Sequence, residues 1–275
     1  MPTGELQWRG DGELVVDGIE YGCRPGVKEP FDSTPNRFCL CKARWAIDAL
    51  DELLAELEPR RVMEVGIEQG GSAALIAQLA RPEKLVGVEL TPEPVAALGE
   101  FAESRGLGDA ISIHYGVDQA DAPELRRIAE AEFGDEPADL IIDDASHMLA
   151  ESRITFDALF PRLRPGGLYL LEDWSWAHMP LPVWPRRDPL TPLVFELTLA
   201  CAQSPQVIEE VTINRGWAVV RRGEGEIDSE GFTLASLYGP RGRDLLPPAG
   251  AGREDPPGPR GLRAGARALR DRTQR

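Results

Sequence analysis

Short apolar runs rich in β-branched side chains alternate, between residues 42 and 222, with longer segments whose apolar positions recur at helical spacing. This alternation is typical of a parallel sheet with helices on both faces. The expected strands are residues 61–65, 85–90, 111–115, 140–142 and 168–171. The expected helices are residues 44–57, 72–80, 93–105, 124–133, 150–160 and 193–202. We therefore predict an α/β fold with a Rossmann-like, doubly wound sheet that is mostly parallel.

Two tight-turn signals lie outside this alternation. Residues 207–213 and 217–222 are strand-like and are separated only by Asn214-Arg215-Gly216, which predicts a C-terminal antiparallel hairpin. Near the N-terminus, Asp17-Gly18 between two short apolar runs predicts another hairpin, followed by a loop to the first helix. We expect residues 1–58 to form a cap packed on a main domain at residues 59–240.

Charge is distributed unevenly along the 275 residues. The formal net charge is −16, yet residues 241–275 hold nine arginines and only four acidic residues. Because this segment is also rich in proline and glycine, we predict a disordered basic tail. The rest of the chain is strongly acidic and would repel a nucleic-acid backbone or an anionic membrane, so neither is an expected partner. A nucleic-acid tether is the alternative for the tail, disfavoured because the tail has no aromatic side chains.

Neither a transmembrane helix nor a secretion signal is expected. The chain has no apolar run of about 18 residues, and its first residues lack a basic region followed by an apolar one. We therefore expect a cytoplasmic protein with reduced cysteines. The four cysteines are expected to be ordinary thiols, because Cys39 and Cys41 have C-x-C spacing rather than the C-x-x-C of many zinc and redox sites.

The loop after the strand at residues 61–65 reads EVGIEQGGS over residues 64–72. Glycines between a strand and a helix let a ligand approach the backbone at the carboxyl edge of the sheet. Glu68 stands where a dinucleotide fingerprint has glycine and would repel a diphosphate, which disfavours an NAD-dependent oxidoreductase. The loop instead suits S-adenosylmethionine, which has no phosphate and carries an ammonium and a sulfonium. Its predicted contacts here are Glu64, Gly66, Gly70 and Ser72.

Polar residues that follow the next strands extend this predicted cofactor site. Glu89 ends the second strand, where a carboxylate can accept hydrogen bonds from both ribose hydroxyls. Asp118 and Gln119 follow the third strand and are expected near the adenine, with Asp118 accepting from its amino group. Asp143, at the end of the fourth strand, is assigned to the same site. The alternatives are a solvated side chain for Glu89 and ordinary turn formation for Asp118 and Gln119.

Two acidic pairs, Asp143-Asp144 and Glu172-Asp173, end the fourth and fifth predicted strands. Because the carboxyl ends of adjacent parallel strands meet at one edge of a sheet, both pairs should lie beside the cofactor crevice. Mutually repelling carboxylates need a cation, and ligation by oxygen alone is typical of Mg²⁺, or of Mn²⁺ in its place. Zinc is less favoured, because His147 is the one nearby nitrogen donor. The sequence therefore predicts a divalent metal site.

His147 lies three residues after Asp144, close enough to face a hydroxyl group at that site. Methyl transfer to a hydroxyl requires removal of its proton, and an imidazole with a pKa near 6.5 cannot alone deprotonate an alcohol with a pKa near 16. A metal that lowers the hydroxyl pKa and a base are therefore needed together. A capping or core histidine is the alternative for His147, and is the role we expect for His114 and His178.

From Val62 to Asp173 the sequence resembles the Mg²⁺-dependent sugar O-methyltransferases of macrolide tailoring, the macrocin and mycinamicin type, and the wider cephalosporin-hydroxylase-like family. The resemblance rests on the loop at residues 64–72, DQ-x-D at 118–121, DDASH at 143–147, and RPGG at 164–167 ahead of Glu172-Asp173. It implies a class I S-adenosylmethionine-dependent methyltransferase domain at residues 59–240. It also implies Asp144, Glu172 and Asp173 as metal ligands and His147 as the general base. Ala145 departs from the glycine that the family often has there.

These observations predict an enzyme, an S-adenosylmethionine- and Mg²⁺-dependent O-methyltransferase. The expected acceptor is a hydroxyl on a sugar-bearing natural product, in antibiotic biosynthesis. The alternatives are a hydroxylase component or other tailoring protein of the cephalosporin-hydroxylase-like family, and a non-catalytic partner protein. The loop at residues 174–184 holds three of the six tryptophans and is predicted either to wall the acceptor site or to pack on the cap. The identity of the acceptor, and whether the chain forms a homo-oligomer, stay open.

Overall fold

The computed structural model describes residues 4–10, 12–23, 31–178 and 188–239. Its strands and helices alternate through the middle of the chain, as the sequence predicts. The strands are β1 (Gln7–Trp8), β2 (Glu13–Val16), β3 (Ile19–Cys23), β4 (Arg37–Leu40), β5 (Arg61–Val65), β6 (Lys84–Glu89), β7 (Ile111–Tyr115), β8 (Ala138–Asp143), β9 (Leu163–Glu172), β10 (Ile208–Ile213) and β11 (Trp217–Arg222). The α-helices are α1 (Arg44–Leu57), α2 (Gly71–Leu79), α3 (Ala96–Ser104), α4 (Ala122–Phe133), α5 (Leu149–Leu159) and α6 (Thr191–Gln203).

A seven-stranded sheet with the order β10-β11-β9-β8-β5-β6-β7 forms the centre of the fold. Strands β5 to β9 pair in parallel, and β11 pairs antiparallel with both β9 and β10. The predicted Rossmann-like α/β fold with a C-terminal antiparallel hairpin is therefore confirmed. Successive residues of each strand point to opposite faces, so Met63 and Tyr169 belong to one apolar cluster, while Val62 and Leu170 belong to the other.

The parallel register brings the ends of three strands together at one edge. Val65 of β5 pairs with Asp143 of β8, and Asp143 in turn pairs with Leu171 of β9. The residues that follow these positions therefore emerge side by side, at the carboxyl edge where ligands bind in open α/β sheets.

The residues before α1 form a second, four-stranded sheet with the order β1-β2-β3-β4. β2 and β3 form the predicted hairpin, whereas β4 adds to β3 in parallel where the sequence analysis expected a loop. Phe38 of β4 is fully buried between Tyr21 and the edge of Phe101 in α3. The hydroxyl of Tyr21 donates to Oε1 of Gln78 in α2 at 2.5 Å. This small sheet is thus packed on the helices of the main sheet.

Other outcomes concern the start of one helix, the absence of membrane-spanning helices among the described residues, and the predicted tail and domain division. Helix α3 begins at Ala96 rather than at residue 93, because Glu93 precedes Pro94 and a residue before proline disfavours the helical conformation. Among the described residues, every helix is too short or too polar to cross a bilayer. The tail at residues 241–275 and part of the loop at 174–184 lie outside the described residues. The division at residues 58 and 240 stays a prediction.

Candidate functional site

The glycines that follow β5 lie in direct contact with the backbone of other segments of the chain. A Cβ on Gly66, whose φ is +91°, would lie 2.5 Å from the carbonyl oxygen of Asp144. A Cβ on Gly71 would lie 2.2 Å from the carbonyl oxygen of Cys39. These contacts exclude any side chain at both positions, so the loop after β8 and the end of β4 both pack against the glycine loop.

Glu89 accepts three backbone hydrogen bonds, two of which hold the glycine loop. Its Oε2 accepts from the amides of Ile67 at 3.2 Å and Glu68 at 3.0 Å, and its Oε1 accepts from the amide of Thr91 at 2.9 Å. The side chain is half-buried at the carboxyl end of β6. A carboxylate oxygen has more than one lone pair, so the predicted ribose contact of Glu89 is compatible with this role and stays a prediction.

Glu64 is an ionisable group in an apolar setting. Its side chain is 0% exposed, and neither carboxylate oxygen makes a hydrogen bond of normal geometry to any residue that the structure describes. Burial raises the pKa of Glu64 to about 7, while Lys42 and Ser72 act in the opposite direction. A buried carboxylate without partners is costly, so Glu64 has acceptor capacity that a cationic ligand can satisfy. Ser72 is buried near it in the first turn of α2, and Gly70 is the residue before that helix.

Gln119 is fully engaged inside the protein. Its Nε2 donates to Asp143 Oδ1 at 3.2 Å and to Thr155 Oγ1 at 3.0 Å, and its Oε1 accepts from the amide of Ser146 at 2.7 Å. Asp143 is 1% exposed and also accepts from the hydroxyl of Tyr169 at 3.3 Å, and burial raises its pKa to about 6. These two side chains therefore support the loop that follows β8, and their predicted cofactor contacts stay predictions.

Asp118 has a different environment from Gln119. It is exposed, and its Oδ1 accepts from the amide of Ala120 at 2.8 Å, which closes a turn of the kind that aspartate commonly forms. The turn leaves the other carboxylate oxygen available, and the predicted adenine contact is not tested by this geometry.

Lys42 lies between the two acidic pairs. Its Nζ donates to Asp144 Oδ2 at 2.8 Å and to Glu172 Oε2 at 2.5 Å, and its side chain is 6% exposed. Both pairs thus meet at one edge, as the strand order predicts. Burial and the neighbouring Asp144 raise the pKa of Glu172, while Lys42 acts in the opposite direction. Glu172 Oε1 is buried without a hydrogen-bond partner in the described part of the chain.

Asp144, His147 and Asp173 form a candidate metal cluster. One ligand atom from each lies within 4.8 Å of the other two, and His147 Nε2 is 3.9 Å from both Asp144 Oδ1 and Asp173 Oδ2. Two oxygens on opposite sides of a Mg²⁺ ion are about 4.2 Å apart, twice the Mg–O distance of about 2.1 Å. His147 and Asp173 both have a φ of +54°, a conformation that is rare outside glycine and recurs at functional sites.

The donor set fits a divalent cation. Asp144 Oδ1, Asp173 and the unpaired Glu172 Oε1 are oxygen donors, and the acidic residues outnumber Lys42 at this edge. Burial and Asp144 raise the pKa of Asp173, as expected where carboxylates repel one another. Of the predicted ligands, Asp144 and Asp173 lie together with His147, whereas Glu172 lies outside that cluster and is joined to Asp144 through Lys42; the role of each residue stays a prediction.

The first two residues of the aromatic loop after β9 are bound to the turn of the C-terminal hairpin. Trp174 Nε1 donates to the carbonyl of Asn214 at 2.8 Å, and the Ser175 hydroxyl donates to the carbonyl of Arg215. Trp176 is 7% exposed, and its ring centroid lies 6.3 Å from that of His147. Trp176 therefore borders the candidate site, while residues 179–187 of this loop, including Trp184, lie outside the described residues.

The remaining histidines lie apart from this chemistry. His114 Nε2 is 2.8 Å from Glu132 Oε1, and His178 hydrogen-bonds Thr191. The four cysteines are thiols, as predicted. Lys42 is the site residue that sequence reasoning missed. The repulsion among the carboxylates signalled a cation, but a single lysine before α1 carries no motif that would connect it to strands over 100 positions later.

Comparisons with known proteins agree with this geometry. Residues 63–174 match a family described as a methyltransferase domain. The mycinamicin VI 2''-O-methyltransferase of Micromonospora griseorubida is 52% identical over 63 residues, which cover 23% of this chain and 15% of the relative. The demethylmacrocin O-methyltransferase of Streptomyces fradiae is 48% identical over 130 residues, which cover 45% of this chain and 29% of the relative. The matches thus span less than a third of these relatives.

A solved structure extends the likeness beyond those segments. The MycE methyltransferase of mycinamycin biosynthesis, in complex with Mg, S-adenosylhomocysteine and mycinamycin VI, superposes with a TM-score of 0.52 at 27% identity. The match covers 66% of this chain and 51% of that chain. The O-methyltransferase TomG from Streptomyces achromogenes, with a TM-score of 0.50 at 18% identity, shares the fold.

Proposed function

We propose that this chain, which carries a methyltransferase domain over residues 63–174, transfers a methyl group from S-adenosylmethionine to a sugar hydroxyl of a glycosylated natural product. The observation that carries the proposal is the convergence of Asp144, His147, Glu172 and Asp173 at the carboxyl edge of β8 and β9, next to the glycine loop. This arrangement supplies a metal-ligand set and a base beside the crevice where the methyl donor would bind.

The donor site is supported by the residues around the glycine loop. Glu64 offers the carboxylate that a ligand ammonium can pair with, because both of its oxygens lack partners in the described structure. Glu89 holds the loop by its backbone amides and lies where a ribose would reach its free lone pairs. In the MycE complex the same fold binds S-adenosylhomocysteine, which supports this placement.

The metal ligands in this proposal are Asp144, Glu172 and Asp173. When bound, a Mg²⁺ or Mn²⁺ ion supplies positive charge that lowers the pKa of a nearby hydroxyl group. The chain's contribution is to orient the carboxylates: Lys42 engages one oxygen of Asp144 and one of Glu172 and leaves the other oxygen of each free.

His147 is proposed to accept the proton of the acceptor hydroxyl at Nε2. Imidazole and an alcohol differ by about nine pKa units, or about 12 kcal/mol, so the base acts only on a hydroxyl already acidified at the site. The oxygen then attacks the donor methyl carbon, the carbon–sulfur bond breaks, and its electron pair stays on sulfur as S-adenosylhomocysteine leaves. Because the donor is already activated, alignment of the two reactants supplies much of the rate.

The acceptor class is proposed from the relatives. The mycinamicin VI and demethylmacrocin O-methyltransferases are 52% and 48% identical to parts of this chain, and the ring of Trp176 lies beside His147, where an aromatic side chain suits a sugar ring. A small-molecule acceptor accounts for the site without a macromolecular partner. The cytoplasmic location stays a prediction, and the oligomeric state stays open.

Mass spectrometry of products tests the proposal. Purified protein, S-adenosylmethionine and Mg²⁺ are incubated with mycinamicin VI, demethylmacrocin and an aglycone as a control. We expect glycosylated acceptors to gain one CH₂ unit and the aglycone to stay unchanged. Gain of one oxygen would support the hydroxylase alternative, and no turnover together with no S-adenosylhomocysteine binding would support the non-catalytic partner.

A further inference from the structure

Lys42 is a buried cation supplied from outside the matched methyltransferase segment. It lies in the short connection between β4 and α1, upstream of residue 63, where the family match begins. The backbone just before Lys42 packs directly against the glycine loop. The carbonyl of Cys39 lies so close to Gly71 that a Cβ on Gly71 would overlap it. The lysine is therefore placed by packing of the N-terminal segment, and its ammonium reaches the ends of β8 and β9.

We propose that Lys42 is the internal countercharge of the carboxylate cluster, a positioning residue that keeps the metal site assembled before the ion binds. This inference deepens the proposed function and rests on it for the identity of the ion. Among the described residues, Lys42 is the only lysine or arginine that forms an ion pair with Asp144 or Glu172. Removal of one partner from a buried ion pair leaves an uncompensated charge and is strongly destabilising.

The same ammonium also opposes binding of a divalent ion. Lys42 and the ion share Asp144 and Glu172, and like charges in a buried site repel strongly because water screens them little. Loss of Lys42 also loosens the two carboxylates, which weakens binding. We expect the charge effect to dominate, because each freed carboxylate gains an oxygen for the ion.

The test compares the variant K42M, which keeps the length of the side chain and removes its charge, with wild-type protein. In metal-free buffer we expect the Tm of K42M to fall by at least about 5 °C. With Mn²⁺ alone as the probe, titration calorimetry should show about tenfold tighter binding to K42M, and Mn²⁺ should raise its Tm more than that of the wild type.

A matched control comes from Lys84, which pairs with Glu132 at 2.8 Å at the start of β6 and is more exposed than Lys42. K84M should lower the Tm less than K42M does and leave Mn²⁺ affinity unchanged. Equal or weaker Mn²⁺ binding by K42M, or a metal-free Tm like that of the wild type, overturns the inference. Where K42M does not fold, K42M/D144N/E172Q, which removes the lysine and the charges of both its partners, should fold, and its failure to fold would also overturn the inference.

Methyl transfer is scored separately in the same preparations. Wild-type protein that binds Mn²⁺ but leaves every acceptor unmethylated contradicts the proposed function and leaves the role of Lys42 intact. If the wild-type protein methylates an acceptor but binds Mn²⁺ as tightly as K42M, the role of Lys42 is contradicted and the proposed function is not.

Discussion

Replacing Glu64 by glutamine should stabilise the free protein at alkaline pH and weaken binding of the methyl donor. Glu64 is fully buried, and both of its oxygens lack hydrogen-bond partners in the described structure. Glutamine has nearly the same shape and carries no charge. E64Q therefore removes the cost of a buried carboxylate, and it also removes the negative charge proposed to pair with the donor ammonium.

The magnitude follows from the pKa of Glu64, which burial raises from 4.5 to about 7. Between these values the folded chain retains a proton that the unfolded chain has released, so the free energy of unfolding falls as pH rises through this window. At about 1.4 kcal/mol per pKa unit, the folded state loses about 3 kcal/mol by pH 8 relative to pH 4. Glutamine has no such loss. The free energy of unfolding of E64Q minus that of the wild type should thus be about 3 kcal/mol larger at pH 8 than at pH 4.

Guanidinium unfolding at pH 4 and pH 8 measures this difference, and comparison between the two proteins cancels other titrating groups such as Asp143. Titration calorimetry with S-adenosylhomocysteine measures the donor site, where loss of a charged hydrogen bond should weaken binding about tenfold or more. A wild type whose stability relative to E64Q is the same at both pH values would refute the burial argument. Unchanged affinity for S-adenosylhomocysteine would refute the donor contact.

Other predictions concern the base, the metal, the glycine loop and the aromatic loop. H147A should lower kcat about 100-fold or more while calorimetry shows unchanged S-adenosylhomocysteine binding; equal loss of binding would contradict its role as base. Exhaustive chelation with EDTA should abolish turnover and Mg²⁺ or Mn²⁺ should restore it, and full activity after chelation would remove the metal from the mechanism. G71A should destabilise the fold by about 2 kcal/mol, because its Cβ would overlap the carbonyl of Cys39, whereas G99A on the open face of α3 should stabilise it by about 0.5 kcal/mol in the same denaturation assay. W176A should raise the KM for a glycosylated acceptor, and an unchanged KM would favour a purely packing role.

The central sheet could be predicted because each of its strands carries a local signal. Apolar runs of strand length alternate with helical periodicity, and the turn at Asn214-Arg215-Gly216 selects an antiparallel partner for β11. Adjacency of β8 and β9 then follows from topology, and with it the meeting of the two acidic pairs. The strand β4 gave no such signal. It pairs in parallel with β3, and the intervening segment is too long for a turn motif to indicate the pairing.

The candidate site could be predicted in composition but not in its partnerships. The acidic residues at the strand ends are visible in the sequence. The buried hydrogen bond from Gln119 to Asp143 is not, because periodicity does not indicate which polar side chains pair inside the fold. The reason for Gly66 was also hidden: it makes room for the backbone at Asp144. Such close approaches depend on how loops from distant parts of the chain settle on one another, and only a tertiary structure defines them.

The position of Lys42 changes how the acidic edge of the sheet should be understood. Carboxylates gathered for an ion would repel one another in the free protein, and the fold would then depend on the metal. A lysine carried in by the N-terminal segment offsets part of that repulsion. Because Asp173 and one oxygen each of Asp144 and Glu172 are left outside the lysine's hydrogen bonds, the protein can be folded without the ion and still retain oxygens to bind it. The segment before the residues that match the methyltransferase family therefore contributes to the candidate site itself, in addition to packing on the helices of the main sheet.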